Sequence, residues 1–161
     1  MRRMAHLCLV LAALFVVDCS NHTASTSDAP ASRVEADGFR GIKWDTPLEE
    51  MESKLVLVGT DDGRNIEWYK KENEELFLGA ASLESIHYVF HDRLFKRVAI
   101  VANGADNYEH LREYFSKNFG EASKSADGAH TWNLGTTTIM FAYNPVKNVS
   151  LVILQQSPNM Q

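Results

Sequence analysis

Two β-rich runs, Ser85 to Phe90 (SIHYVF) and Leu94 to Val101 (LFKRVAIV), stand on either side of three polar residues, His91-Asp92-Arg93. Runs of β-branched and aromatic residues joined by so short a polar link predict a β-hairpin. That hairpin sets the middle of the chain as antiparallel sheet, and its neighbours extend the pattern. Ile66 to Lys70 (IEWYK) alternates, with Ile66 and Trp68 on one side and Glu67 and Tyr69 on the other. Lys71 to Glu75 reads as a polar turn before a short apolar piece, Leu76 to Leu78, that ends at Gly79. Three further strands are expected over His130 to Leu134, Thr137 to Tyr143 and Val149 to Gln155, with turns at Gly135-Thr136 and Asn144 to Asn148.

Two helices are predicted among these strands. Thr46-Pro47-Leu48-Glu49 has the form of a capping box with proline in the first turn. Leu48, Met51 and Leu55 follow at helical spacing, and Gly59 with Asp61-Asp62-Gly63 breaks the chain. The second helix has Asp106 as N-cap, an apolar stripe of Tyr108, Leu111, Phe115 and Phe119, and Gly120 as its stop. The expected order is α-β-β-β-α-β-β-β, without the strand-helix-strand alternation of a parallel doubly wound sheet. The layer rules then favour an α+β fold, a single antiparallel sheet of about six strands with two helices on one face. Its expected core contains Leu48, Met51, Leu55, Trp68, Ile86, Tyr88, Phe90, Val98, Leu111, Phe115, Ile139 and Phe141. The two halves share an outline, which suggests a duplicated α-β-β-β unit.

The N-terminus reads as an address. Met1-Arg2-Arg3 is a short positive region, and Leu7 to Val17 (LCLVLAALFVV) is an unbroken apolar run. As a helix that run would span only about 16 Å, roughly half a bilayer core, so it is read as an export signal over residues 1–18. The alternative is a buried N-terminal helix. Ser20 to Asp37 (SNHTASTSDAPASRVEAD) has almost no large apolar residue and reads as a flexible tether, residues 19–37, ahead of a globular domain over 38–157. A coil of that length has a root-mean-square span of roughly 25 Å.

At 161 residues the chain fits one domain, and 45% hydrophobic with 23% charged residues fits a globular one. A net charge of −5, with no basic stripe interleaved with aromatics, counts against a nucleic-acid partner. Cys8 and Cys19 are too few for a disulfide framework.

Val16-Val17-Asp18-Cys19 resembles a bacterial lipobox, with Asp18 where that family carries a small residue. The resemblance implies that Cys19 is a lipid acceptor and the membrane anchor. Ser20, in place of the aspartate used for inner-membrane retention, then implies an outer-membrane lipoprotein on the periplasmic side of the cell envelope. An ordinary cleaved signal would leave a soluble periplasmic protein instead. The opening Gly38 to Trp44 (GFRGIKW), the run Gly79 to Phe90 (GAASLESIHYVF), and Tyr114 to Gly120 before a Trp-containing hairpin are similar to small exported bacterial domains of uncharacterised function. In architecture alone the pattern is similar to β-lactamase-inhibitor-like and outer-membrane-assembly-lipoprotein domains, which bind other proteins.

No catalytic motif stands out. His87 and His91 are four apart, which on a strand separates them by about 13 Å, too far for one metal. His110 and Glu113 share a helix face but lack matching ligands from other helices, and read as a solvated face. Asp61-Asp62-Gly63-Arg64-Asn65 lacks the alternating acids and final glutamate of a calcium loop. There is no G-x-S-x-G, H-E-x-x-H or Walker sequence. Hence no catalytic or metal-ligating residue and no cofactor are expected.

Aromatic residues remain. Trp44, Trp68, Tyr69 and Tyr143 are the candidate binding face, set on the side of the sheet that helices leave free. The expected role is a non-catalytic binding module of the envelope, membrane-attached through Cys19, whose partner is another envelope protein or envelope component. The alternative is a small periplasmic hydrolase or ligand-binding domain that uses His87 or His130.

Overall fold

The computed structural model describes residues 34–124 and 128–158. The export signal and Cys19 lie outside the described residues, as does most of the tether. Thirteen strands run in chain order: β1 (Val34–Glu35), β2 (Gly38–Phe39), β3 (Ile42–Lys43), β4 (Leu55–Asp61), β5 (Ile66–Lys71), β6 (Phe77–Leu78), β7 (Ala81–Ser82), β8 (Ser85–His91), β9 (Leu94–Asn103), β10 (Ser123–Lys124), β11 (His130–Asn133), β12 (Thr137–Asn144) and β13 (Val149–Gln156). One α-helix, α1 (Ala105–Phe119), lies between β9 and β10. β1 falls in the stretch read above as tether, and its Val34 is buried.

The main sheet has eight antiparallel strands in the order β10-β11-β12-β13-β9-β8-β5-β4, beside a three-stranded sheet β1-β2-β3 and a two-stranded β6-β7. The expected six-stranded sheet with two helices on one face is therefore corrected to a mostly β fold with one α-helix among the described residues. The duplicated unit is corrected with it. Each half of the main sheet is a four-stranded meander, β4-β5-β8-β9 and β10 to β13, and they join where β9 pairs with β13. Only the second half carries an α-helix.

The missing helix has a local cause. The Leu48 N–H donates to the Arg93 carbonyl, Asp45 N–H to the Phe95 carbonyl, and Phe95 N–H to the Thr46 carbonyl, so the backbone of 45–48 is already paired with the start of β9. Pro47, not Thr46, precedes the first turn, with no side-chain cap. Two single 3-10 turns follow, Leu48–Glu50 and Glu52–Lys54. Then Leu55-Val56-Leu57-Val58 enters an extended strand, the conformation favoured by β-branched valines.

The central hairpin forms as expected. Asp92 and Arg93 take φ values of 50° and 61°, which makes a two-residue turn with the primed geometry that matches strand twist. α1 starts one residue before Asp106 and is preceded by Gly104, and Gly120 stops it with φ 78°. The Trp132 indole N–H donates to the Gly120 carbonyl at 2.9 Å and ties the helix end to β11.

The core lies on one side of the main sheet and has two covers. α1 presses Leu111 and Phe115 onto the β10–β13 half, with Phe115 5.3 Å from the Trp132 ring and 6.1 Å from Phe141. The segment from Val34 to Met51 covers the other half with single buried side chains. Phe39 lies 6.0 Å from Tyr88, and Trp44 lies 4.9 Å from Phe95. This irregular segment takes the place given above to a second helix. Buried beneath it, Arg40 donates to the Glu74 carboxylate at 2.7 Å and to the carbonyls of Glu75 and Phe77 at 2.8 and 2.7 Å. The Tyr88 hydroxyl donates to the same Glu74 carboxylate.

Candidate functional site

Strand alternation decides what each side of the sheet offers. The helix-covered face takes Tyr69, Tyr88, Val98, Val152 and Ile139. The opposite face takes the residues between them. One row across six strands reads Gly59, Trp68, Val89, Arg97, Gln155 and Thr138. A second row reads His87, Ala99, Ile153 and Met140, and a third Ser85, Val101, Leu151 and Ala142. No helix or loop of the described residues covers Leu151, 44% exposed, or Met140, 37% exposed. Trp68, Val101 and Ile153 are half-buried by their neighbours.

Charge is sorted on this face. The chain is net acidic, yet the outward positions of the central and β5 strands carry Lys70 and Arg97 with no carboxylate among them. Asp61, at the edge of the sheet, is paired with Arg64 at 3.1 Å. Arg97 borders a cleft of about 370 Å³ whose other walls are Arg64, Ile66, Val89, His91 and Lys96. His87, on the same face but outside that cleft, is half-buried. Desolvation, then the nearby Lys70 ammonium, lowers its pKa below the ordinary histidine value, so its ring is neutral at pH 7.

The four aromatic residues singled out in the sequence are not brought together. Trp68 lies on the open face. Tyr69 points to the core, where its ring meets Phe90 at 5.5 Å, and Trp68 is absent from the core that the sequence assigned it to. Trp44 is buried and donates its indole N–H to the Thr137 hydroxyl at 2.7 Å. Tyr143 stacks on Tyr108 at 4.7 Å and donates to the Asn148 side chain at 2.7 Å.

His130 is buried on the core face, with Nε2 3.3 Å from the Tyr108 hydroxyl and its ring stacked on Trp132. Burial first, then Lys124 and Arg112, lowers its pKa. Among the described residues neither His87 nor His130 hydrogen-bonds a carboxylate, and no group of three or more histidines, cysteines or acids is placed to hold a metal. A cleft of about 470 Å³ lies between Asp61, Asp62, Glu67, Asp92 and Arg93. Its guanidinium is already shared among Glu49, Glu52 and Glu67.

Sequence reasoning missed β4, because its valines were read as the end of a helix, and missed the apolar patch of Met140, Leu151 and Ile153. That patch was legible as the alternate positions of strands already predicted. No helix among the described residues is long and apolar enough to cross a membrane. No family model, no curated protein and no solved structure matches the chain.

Proposed function

We propose that this chain is an exported, lipid-anchored protein of the cell envelope that works by binding, with the uncovered face of its eight-stranded sheet as the binding surface. The observation that carries the reading is the composition of that face. Exposed Leu151 and Met140 lie beside half-buried Val101 and Ile153, with Arg97, Lys70 and half-buried Trp68 elsewhere on the same side. An apolar patch beside cations on the same face favours an acidic, partly apolar protein surface as partner. Eight strands spaced by about 4.8 Å make a platform roughly 34 Å across, which suits a protein partner better than an enclosed small molecule. The anchor is Cys19, and the tether that follows it supplies the reach.

The test uses the tagged full chain, cross-linked in native membranes, with recovered proteins identified by mass spectrometry. A single partner recovered in near-equal amount, and lost from Leu151→Glu, supports the reading. Equal recovery by wild type and Leu151→Glu, or nothing above background, refutes it. Metabolic labelling with an alkynyl fatty acid tests the anchor separately: label on the wild type and none on Cys19→Ser is expected.

A further inference from the structure

β4 ends the main sheet and pairs with β5 on one side only. Its outer backbone edge is seven residues long and presents Val56, Leu57 and Val58 at 45, 50 and 47% exposure. Edge strands are normally protected by lysine, proline or a cover. Leu55–Asp61 contains neither residue. The opposite edge of the sheet, β10, is two residues long, and one of those is a lysine. Among the described residues the main sheet thus has one adhesive edge. One such edge gives a closed isologous pair, not a filament.

The strand is also complementary to itself. Val58 is an extra residue in the β4–β5 ladder, where the register shifts between Leu57 and Gly59. Before this bulge Val56 shares the open face with Lys70. After it Gly59 shares that face with Trp68, and Asp61 with Ile66. Leu55, Leu57 and Thr60 share the core face with Lys71, Tyr69 and Glu67. The Glu72 N–H to Lys54 carbonyl bond continues the ladder by one residue, which puts Lys54 at the next open-face position. In a two-fold antiparallel pair with Leu57 opposite Val58, Lys54 meets Asp61, Leu55 meets Thr60, and Val56 meets Gly59. Every one of those pairs joins residues on the same face. A slip by one residue would set Leu55 against Asp61 across faces, and a slip by two keeps the faces but parts Lys54 from Asp61, so faces and charge together favour this register.

Charge and space agree with that register. Lys54 has no ion pair among the described residues, and Asp61 shares only a highly exposed Arg64. A β-carbon at Gly59 would lie 3.6 Å from the Trp68 ring, so the position opposite Val56 has room for the valine to rest against the indole.

We propose that the chain forms a two-fold homodimer through β4, with Leu57 opposite Val58 and Lys54 opposite Asp61 of the second copy. The dimer joins two eight-stranded sheets into one continuous sheet and places both open faces on the same side.

The test is sedimentation velocity of the full chain in density-matched detergent over a concentration series. A dimer is expected for the wild type and a monomer for Leu57→Lys. Lys54→Asp and Asp61→Lys each weaken association by about tenfold, since two symmetric cross-strand pairs turn repulsive. The double variant restores it. A wild type that stays monomeric throughout overturns the proposal, and so does a dimer that survives Leu57→Lys. A double variant as weak as the single ones overturns it as well.

Discussion

Replacing Arg40 by methionine would leave the Glu74 carboxylate buried without its cation. The two side chains are 4 and 6% exposed and lie 2.7 Å apart. Removing one member of a buried pair costs about 3–5 kcal/mol, because the remaining charge stays desolvated. The carbonyls of Glu75 and Phe77 lose donors at the same time, which places the loss in the upper part of that range. Methionine would meet the same φ of 51° as the arginine, so backbone strain does not enter the difference. A domain of this kind has roughly 5–15 kcal/mol of stability in all, so the variant would sit near the limit of folding. Combining Arg40→Met with Glu74→Gln removes both charges and leaves the Tyr88 hydroxyl an amide oxygen to bond. The pair should recover about 2 kcal/mol relative to Arg40→Met alone. Urea unfolding followed by tryptophan fluorescence measures both. A single-variant loss below about 1 kcal/mol would refute the reasoning. So would a double variant whose loss equals the sum of the two singles.

Two other outcomes follow from the same geometry. Alanine at Gly38 would drive a β-carbon into the Ile42 carbonyl oxygen, a backbone atom that cannot turn away, so Gly38→Ala should cost about 3 kcal/mol and lower the melting temperature by roughly 10 °C. Gly63→Ala, whose nearest contact is the Asp61 carboxylate at 3.5 Å, should leave it nearly unchanged. Burial, then the Glu74 carboxylate, raises the Tyr88 phenol above its ordinary pKa. The unfolded chain therefore loses that proton first, so this contribution is complete below about pH 10 and is lost as pH rises beyond it. Chemical unfolding at stepped alkaline pH should show a shallower fall for Tyr88→Phe than for the wild type, and equal slopes would refute the assignment. Tyr69, raised mainly by burial and by Glu67, should keep some slope in the variant.

The strands from Ile66 onward were legible because each is a run of β-branched and aromatic residues closed by a polar turn. α1 was legible from its stripe and from Gly120. The first helix failed because Thr46-Pro47-Leu48-Glu49 looks like a helix start only while its amides are free, and here β9 takes them. That is a tertiary contact with residues more than forty positions away, and no local pattern records it. The same error hid β4, since Leu55 was counted in a helical stripe. At Trp68 and Tyr69 the alternation was correct but the inward side was not. Which side faces the core depends on the cover, and the cover is the irregular segment from Val34 to Met51. The free sheet face was foreseen as a surface. Its content came from β9, β12 and β13 more than from the four aromatics chosen, of which Trp68 alone lies on it.

If the uncovered face of the sheet meets the partner, cross-links must form from that face. A photo-cross-linking amino acid placed in turn at Leu151, Met140 and Trp68, and at Glu113 and Lys117 on the exposed side of α1, asks this directly in cells that carry the full chain. One common adduct is expected from the three sheet positions and none from the two helix positions. Adducts from the helix positions alone, or the same adduct from both sets, would contradict it.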